Sequence, residues 1–316
     1  MYWIQAGRQT ESRCKINRSS IKQSEHLHNS AVRNGVDLMK VAKRIHRIKI
    51  SFNITPEIER FVYMYIIEGK KLYLIDAGVD GAEKLLSYYL SSIGKDIKDI
   101  EAVFLTHSHP DHIGGASEIK RLSGCKVYAC QAESEWIENI DKQFLERPIP
   151  NFYNLLNKSV AIDSFVKDGD LVKLEDGITI KVIDSRGHSQ ESLSYYLVQD
   201  KALFSGDAIP LNSDIPIYVS AKQSMATLEK FLTIKNVDLY LSAWDKEKNT
   251  ESGIKAINEG LEHLKMIDKE IRSLCSENAD ATEEKLFDLA CERLNMKRFN
   301  INPLFRRSIM SNVYKT

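Results

Sequence analysis

The sequence predicts a mixed fold of strands and helices (α+β) that ends in a helical segment. Short apolar and β-branched runs come in pairs joined by turn residues, such as 61–67 and 71–75 around a Glu-Gly-Lys turn. Apolar residues at helical spacing follow several of these runs, as at 85–93. Beyond residue 250 helical spacing dominates, so we expect helices alone at the carboxyl end.

The composition limits the size and the partners of this fold. A chain of 316 residues with 43% hydrophobic residues can bury one large core or two small ones. Because 44 basic residues balance 44 acidic ones, no net charge favours a nucleic acid or an acidic membrane surface. Five cysteines without a C-x-x-C pair indicate reduced thiols, and no apolar run approaches the roughly 20 residues of a membrane span. We therefore expect a cytoplasmic protein without nucleic-acid or membrane partners.

Three segments are predicted along the chain. Residues 1–40 are polar and lack periodicity, so we expect a disordered extension. A related hypothesis is that translation starts at Met39, which the intact mass of the native protein tests. Residues 41–250 carry the strand and helix patterns of the main domain, and residues 251–316 are expected to form a C-terminal helical extension.

The elements follow from local patterns. Runs bounded by turn residues predict strands at 47–53, 61–67, 71–75, 101–105, 126–129, 171–174, 178–183, 193–198, 202–204 and 237–241. Helical spacing predicts helices at 80–93, 116–122, 133–140, 221–235, 254–271, 283–294 and 303–313. Residues 142–158 contain Pro148 and Pro150 and are predicted to be an irregular insertion, either a lid near the site or a surface loop.

One short segment concentrates metal-ligand chemistry. Between positions 107 and 112 the chain places three of its eight histidines and one carboxylate, namely His107, His109, Asp111 and His112. Neutral imidazole nitrogen and carboxylate oxygen are ligands that zinc and similar divalent metals accept. The segment follows the predicted strand 101–105, and the ends of strands are where open sheets place their sites. A polar loop with exposed histidines is the alternative, but the spacing and the following Gly114-Gly115 favour a metal site.

Three further residues lie just beyond predicted strands. His188 and Asp207 each stand in a glycine-containing turn, and their occurrence together with the first cluster predicts that they join the same metal site. Asp76 follows the strand 71–75 and has two possible roles, capping a turn or supporting the metal-binding loop.

The pattern H-x-H-x-D-H at 107–112 resembles the metallo-β-lactamase-fold superfamily of metallohydrolases. The segments 74–78, 187–189 and 205–207 support the resemblance, which extends over roughly residues 45–245. It implies an αββα sandwich with the site at the edge between two sheets, followed by helices that shape substrate access. It also implies one or two divalent metal ions, with zinc as the first expectation and iron or manganese as alternatives. By this resemblance, His107, His109 and His188 hold the first metal, Asp111 and His112 contribute to the second, and Asp207 bridges the two.

One departure from the family pattern concerns the second metal. The histidine that the family usually offers after the last sandwich strand falls on Trp244, and an indole cannot ligate a metal. Asp245 can replace the missing ligand, water can complete a weaker second site, or the protein can work with one metal. Of these outcomes a weakened or modified second site is favoured over a strictly mononuclear one.

The resemblance implies a metal-dependent hydrolase. A metal-activated hydroxide would attack a small ester, thioester or lactone-like substrate, and Asp111 would orient the hydroxide or take its proton. Two alternatives stay open. One is a mononuclear iron dioxygenase of the same fold that acts on persulfides. The other is a degenerate, non-catalytic metal-binding scaffold, which Trp244 suggests and the intact remaining ligand positions oppose.

Overall fold

The first of two β-sheets occupies the amino-terminal half of the chain. The computed structural model describes residues 38–212, 214–297 and 302–313. In them the first sheet holds, in spatial as in chain order, β1 (Leu38–Lys40), β2 (Ile45–Thr55), β3 (Ile58–Glu68), β4 (Leu72–Ile75), β5 (Ile100–Phe104), β6 (Lys126–Ala129) and β7 (Ser164–Phe165). Strands β1 to β4 are antiparallel, and β4 to β7 are parallel. Parallel pairing gathers the carboxyl ends of β4 and β5 at one edge.

The second sheet follows in the chain. Its strands are β8 (Leu171–Glu175), β9 (Ile178–Asp184), β10 (Leu193–Leu197), β11 (Ala202–Gly206), β12 (Leu239–Ser242) and β13 (Lys248–Asn249). Neighbours in this sheet are antiparallel except β11 and β12, which are parallel. Gly177, with φ of 77°, makes the tight turn between β8 and β9.

Helices cover the outer face of each sheet, and further helices follow at the carboxyl end. They are α1 (Ala82–Ser92), α2 (Pro110–Ile113), α3 (Ala116–Ser123), α4 (Ser134–Glu138), α5 (Ile140–Glu146), α6 (Phe152–Leu155), α7 (Ala221–Thr233), α8 (Thr250–Glu277), α9 (Glu283–Arg293) and α10 (Pro303–Met310). Leu86 of α1 and Ile119 of α3 pack in one apolar cluster with the first sheet. Phe231 of α7 and Ile257 of α8 pack in another cluster with the second sheet.

An aromatic core joins the two sheets. Tyr65 and Phe104 from the first sheet meet Phe204 and Tyr195 from the second, with ring centroids 5.3 Å and 5.5 Å apart respectively. All four side chains are buried, and edge-on ring pairs at this separation add to the stabilisation from burial. The order of layers is therefore helix, sheet, sheet, helix, and it confirms the expected αββα sandwich.

The carboxyl-terminal helices form a core of their own. Ile267 and Ile271 from the second half of α8 pack against Phe287 of α9 and Phe305 of α10, all nearly inaccessible to solvent. The helical character predicted after residue 250 is confirmed. In the part of the chain that the structure describes, no helix is both long and apolar enough to cross a membrane.

Some elements differ from the prediction. Residues 38–40, expected to belong to the disordered extension, form β1 on β2, and residues 1–37 lie outside the described chain. The start of translation at Met39 therefore stays a prediction. The helix expected at 133–140 is interrupted at Asn139, whose φ of −142° is not helical and whose side chain accepts a hydrogen bond from the amide of Lys142 to cap α5.

The segment 142–158, predicted to be irregular, instead contains the end of α5 and all of α6. Pro148 and Pro150 lie between these helices and account for the break in the pattern. The strands β7 and β13 were missed because two residues are too few to show alternation.

Candidate metal centre

The ends of three strands bring the candidate ligands together. His107 and His109 follow β5, His188 lies in the turn after β9, and Asp207 directly follows β11. Asp111 and His112 belong to α2, which starts with Pro110 at its first position, where a missing N–H costs nothing. The structure thus brings all six predicted residues to one edge between the sheets.

Four of these residues form one compact group. The ligand atoms of His107, His109, His188 and Asp207 all lie within 4.8 Å of one another. His109 Nδ1 is 2.9 Å from His107 Nε2 and 2.9 Å from His188 Nε2. Asp207 Oδ2 is 3.2 Å from His188 Nε2 and 3.9 Å from His107 Nε2. Lone-pair donors that converge in this way are arranged as they would be around a cation.

Two more ligands extend the group through Asp207. His112 Nε2 is 3.2 Å from Asp207 Oδ1 and 3.7 Å from Asp111 Oδ2. The Asp207 carboxylate therefore presents one oxygen to each set of histidines. This geometry suits a bridging carboxylate between two adjacent ions.

Unpartnered buried atoms indicate that the group fits a metal. His112 Nε2 and Asp207 Oδ1 are buried and, among the residues described, have no hydrogen-bond partner of acceptable geometry. Buried polar atoms without partners are rare because their desolvation is costly. Coordination of a divalent ion would satisfy both atoms, and nitrogen with carboxylate oxygen is a donor set that zinc accepts.

Partners on the far side of each ring orient the imidazoles. His107 Nδ1 donates to Thr106 Oγ1 at 2.9 Å, and that hydroxyl donates to Asp76 Oδ2 at 2.9 Å. His188 Nδ1 donates to the carbonyl of Ile217 at 2.8 Å. With Nδ1 carrying the proton, Nε2 presents its lone pair to the cluster.

Asp76 supports the loop that carries the first ligands. Its carboxylate accepts hydrogen bonds from the Thr106 amide at 2.8 Å and from His112 Nδ1 at 2.8 Å. Its backbone φ of 61° is a left-handed conformation that aspartate tolerates better than most residues. Of the two roles predicted for Asp76, these contacts favour support of the metal-binding loop over capping of a turn.

Burial and charge set the protonation of the cluster. Burial lowers the pKa of His107, His109 and His188, which keeps their rings neutral. Burial opposes ionisation of Asp207, but His112 outweighs it and lowers the pKa of this carboxyl. Burial would also lower the pKa of His112, but Asp207, Asp76 and Asp111 raise it, so this ring must lose its proton when it binds a metal. Neutral rings beside an ionised carboxylate are the forms that bind a metal cation.

Glu133 connects the two histidine loops and was missed by the sequence analysis. Its carboxylate accepts hydrogen bonds from the side chains of Ser108 and Ser189, and from the Glu191 amide at 2.9 Å. Ser108 lies between His107 and His109, and Ser189 follows His188. A single glutamate in a short amphipathic segment has no sequence signal that distinguishes it from a surface residue.

The comparison with known families agrees with this geometry. Residues 58–243 match the sequence profile described as the Metallo-beta-lactamase superfamily, which is more than half of the chain. The chain belongs to this superfamily. Its metallo-β-lactamase domain contains every candidate ligand.

Related proteins match over parts of their lengths. A beta-lactamase-like protein 2 homolog from Caenorhabditis elegans is 26% identical over 68% of this chain and 65% of its own. A hydroxyacylglutathione hydrolase from Hyphomonas neptunium is 32% identical, but over only 38% of either chain. This chain thus spans less than two thirds of the length of these relatives.

Solved structures show the same fold. A metallo-β-lactamase family protein from Thermus thermophilus superposes with a TM-score of 0.66, covering 86% of this chain and 92% of its own at 16% identity. A beta-lactamase domain protein from Burkholderia ambifaria gives a TM-score of 0.62 over 87% of both chains at 14% identity. At these identities the likeness concerns the fold alone.

The residues after β12 lie where the alternatives for the second metal differ. The Asp245 carboxylate contacts Lys248 Nζ at 2.8 Å and the Lys246 amide at 2.8 Å, and it does not join the metal cluster. Asp245 already pairs with a neighbouring lysine and its own loop, and its role as a replacement ligand stays one of the three predicted alternatives. Trp244 instead packs on the apolar core and forms part of the cleft wall.

Two cavities meet at the candidate ligands of the metallo-β-lactamase domain. The larger cleft has a volume of about 650 Å³, includes His109, Asp111 and Asp207, and has a mainly apolar wall that contains Phe52, Ile58, Ile149, Ile215, Trp244 and Leu304. The smaller cavity, of about 340 Å³, is more polar and also reaches His109 and His188. Arg147 lines both cavities and, like Glu133, was not predicted as a site residue.

Proposed function

We propose that this protein is a metal-dependent hydrolase that cleaves a small ester, thioester or lactone-like substrate. The observation that carries the proposal is the convergence of six metal-ligand side chains at one end of an open, mainly apolar cleft. The match to hydroxyacylglutathione hydrolases supports it, because an acylglutathione is a thioester. The apolar wall suits the hydrocarbon part of such a substrate.

The residues divide into two ligand sets. His107, His109 and His188 would hold one divalent ion, with Asp207 shared between this ion and a second one at Asp111 and His112. When bound, such an ion lowers the pKa of water to about 7 and polarises a substrate oxygen. Zinc is the first candidate for this donor set. The second set takes Asp111 and His112 from a single helical turn and lacks the further histidine of the family pattern.

Asp111 is the proposed catalytic residue beside these ligands. Its carboxylate lines the larger cleft, where it can orient the attacking water and accept its proton. In the overall reaction the water oxygen bonds to the acyl carbon and the carbon–sulfur or carbon–oxygen bond breaks. The leaving sulfur or oxygen takes one of the two water protons and the other passes to solvent, so that a carboxylate and a thiol or alcohol are formed.

The test combines elemental analysis with a substrate screen. We expect zinc or another divalent metal in the purified protein and turnover of at least one thioester or lactone in a panel that also contains phosphodiesters. His107→Ala should lose metal and turnover together, by more than the roughly 10–100-fold effect of removing a supporting residue. His263→Ala on α8, outside the ligand set, is the matched control and should keep both.

Two outcomes would contradict the proposal. Turnover that persists in metal-free His107→Ala would show that the cluster is not the catalytic centre. Iron as the native metal, together with oxygen consumption in the presence of a persulfide, would favour the dioxygenase alternative.

A further inference from the structure

Arg147 occupies a fixed position beside the candidate metal centre. It directly follows α5, and its amide donates to the carbonyl of Gln143 at 2.8 Å. The side chain of Gln143 in turn donates to the carbonyl of Ser108, which lies between the first two histidines. The backbone that carries Arg147 is thus tied to the metal-binding loop, and its side chain lines both cavities.

The Arg147 side chain is nearly buried, and its guanidinium faces the two cavities without a partner among the described residues. Its residue is only 7% exposed, yet within the described ranges it forms no side-chain hydrogen bond and no ion pair. Arg47, at 1% exposed, shows the usual arrangement, since it pairs with Glu247 and stacks on Tyr63 with its Cζ 4.4 Å from the ring centroid. A buried cation that lacks such partners costs free energy, unless a ligand supplies the missing anion.

Arg307 brings a second guanidinium to the smaller cavity. Arg307 of α10 lines the same cavity and donates to the carbonyl of Glu146 at 3.0 Å. Burial lowers the pKa of Arg147 to about 10, and the like charge of Arg307 contributes to this shift. Two guanidinium groups beside one cavity match the geometry and charge of a carboxylate or phosphate.

Glutamates also line the smaller cavity, and each of their carboxylates accepts hydrogen bonds from other side chains. The pairs are Glu133 with Ser108 and Ser189, Glu135 with Lys142, and Glu146 with Trp136. Asp111, then Asp207 and Glu133, attract Arg147, and the proposed metal ions would offset the attraction of the two aspartates. The positive charge of Arg147 is therefore available to a ligand when the metal centre is filled.

We infer that Arg147, assisted by Arg307, binds an anionic group of the substrate. The substrate class becomes an ester or thioester that carries a carboxylate or phosphate close to the reacting acyl group. Its anion would lie against Arg147, and its apolar part would lie in the larger cleft along Trp244. This inference rests on the proposed hydrolase function, because it identifies Arg147 as a specificity-determining residue of the same site.

Calorimetric titration of the metal-loaded protein tests the inference. The probes are succinate and inorganic phosphate, which distinguish the two anions, and neutral succinamide as the uncharged control. We expect Arg147→Gln to weaken binding of the preferred anion at least tenfold and to leave succinamide unchanged. The anion affinity of Arg147→Lys should lie between those of the parent and Arg147→Gln, because lysine keeps the charge but lacks the planar guanidinium fork. Arg121→Gln, which alters an exposed arginine paired with Glu118, is the matched control and should bind like the parent.

Thermal stability separates binding from a structural role. Because Arg147 has no partner in the described chain, Arg147→Gln should leave Tm unchanged or raise it. Arg47→Gln breaks the buried pair with Glu247 and should lower Tm. A drop in Tm for Arg147→Gln as large as that for Arg47→Gln would assign Arg147 a structural role instead.

The outcomes distinguish this inference from the proposed function. Equal anion affinity in the parent and Arg147→Gln, with binding abolished in both by a chelator, would mean that the metal alone holds the anion and would overturn the inference. If the protein hydrolyses esters but Arg147→Gln does not change KM for charged substrates, the hydrolase function is supported and the anion subsite is contradicted. Anion binding that depends on Arg147, without turnover of any ester, would support the subsite and contradict the hydrolase.

Discussion

At the scale of single residues, Glu133 fixes the relative position of the two histidine loops. Its Oε2 accepts hydrogen bonds from the Ser108 hydroxyl and from the Ser108 amide at 3.2 Å. Its Oε1 accepts from the Ser189 hydroxyl at 2.8 Å and from the Glu191 amide at 2.9 Å. The side chain is 5% exposed, so its hydrogen bonds form away from bulk water. Hydrogen bonds to a charged group are the stronger ones in proteins.

Replacing Glu133 should therefore loosen the metal site as well as the fold. We expect Glu133→Ala to lower the free energy of unfolding by about 3 kcal/mol, since buried donors lose their acceptor. Metal affinity should fall by roughly 10–100-fold, as for other residues that orient ligands. Urea unfolding and competition with a chelator measure the two effects. Glu101→Gln, an exposed carboxylate on β5, should change neither, and an equal effect of both variants would contradict this role.

The six ligand candidates were predictable from the sequence, whereas Glu133 and Arg147 were not. The ligands are recognisable because they cluster within one short segment or follow strand ends in glycine turns. Glu133 acquires its role only from partners on two distant loops. The lack of a partner for Arg147 among the described residues is equally invisible without coordinates.

Close contact between helices and loops sets the position of the metal-binding segment at the scale of elements. Gly114, directly after α2, lies against the segment 79–80 and the end of α6. A Cβ at Gly114 would lie 2.5 Å from the Asp80 amide nitrogen and 2.7 Å from the Val79 carbonyl carbon. Backbone atoms cannot move aside cheaply, so even one methyl group must displace α2.

Gly114→Ala should destabilise the protein by about 3 kcal/mol, the upper part of the usual range for overpacking. Chemical denaturation measures the effect, and metal affinity should fall as α2 shifts. Gly124→Ala is the comparison, because Gly124 has φ of +73° and a Cβ added there would have no described atom within 4 Å. Its cost should be only the roughly 1–2 kcal/mol of a left-handed residue. A smaller effect at Gly114 than at Gly124 would contradict the packing argument.

An ion pair fixes α9 on α8. Arg293 Nη1 donates to Glu277 Oε1 at 3.0 Å, and Nη2 donates to Oε2 at 2.6 Å. The hydrogen bonds from Arg293, followed by that from Ser273, lower the pKa of Glu277 from 4.5 to about 2. A carboxyl with a lowered pKa stabilises the folded state above the unfolded pKa and loses this contribution as pH falls through the folded pKa.

The contribution of Glu277 to the stability of the folded state should therefore depend on pH. We expect Glu277→Gln to have a lower Tm than the parent at pH 6, with the difference shrinking as pH falls from 4.5 towards 2. Thermal scans at several pH values measure the difference. Glu259→Gln alters a pair 3.8 Å long within one helix and should show little difference at any pH. A Glu277→Gln difference that stays constant across this range would contradict the pair's role.

The longer elements were predictable because their periodicity extends over several turns or alternations. The strands 126–129 and 178–183 and the helix 283–294 agree with the structure to within one residue at each end. The interruption at Asn139 was not predictable, because its capping contact with Lys142 lies inside a continuous amphipathic pattern.

Tyr195 links the two sheets directly beneath the metal-binding loop at the scale of the whole molecule. It lies on β10 of the second sheet, and its hydroxyl donates to the carbonyl of Leu105 at 2.6 Å, just after β5 of the first. The ring also packs against Phe104. A hydrogen bond between the layers thus fixes the strand end from which His107 and His109 follow.

Tyr195→Phe should lower the free energy of unfolding by about 1–2 kcal/mol, because the buried carbonyl of Leu105 loses its donor. Its neighbour Tyr196 points to the other face of the same strand and donates to the carbonyl of Asn236 near solvent at 2.7 Å. Tyr196→Phe should cost less, since water can replace that donor. Urea unfolding of both variants measures the difference, and equal losses would contradict the link between the sheets.

The sequence by itself predicted the candidate ligand set and determined the longer strands and helices and, through the family pattern, the αββα layers. These features depend on neighbours along the chain, on periodicity and on a short motif. Only the tertiary structure decided that Asp245 pairs with Lys248, that Glu133 joins two loops, and that Arg147 is buried beside the metal centre without a described partner. Burial, pairing and cavity shape depend on segments that lie far apart in sequence, and folding alone brings them into contact.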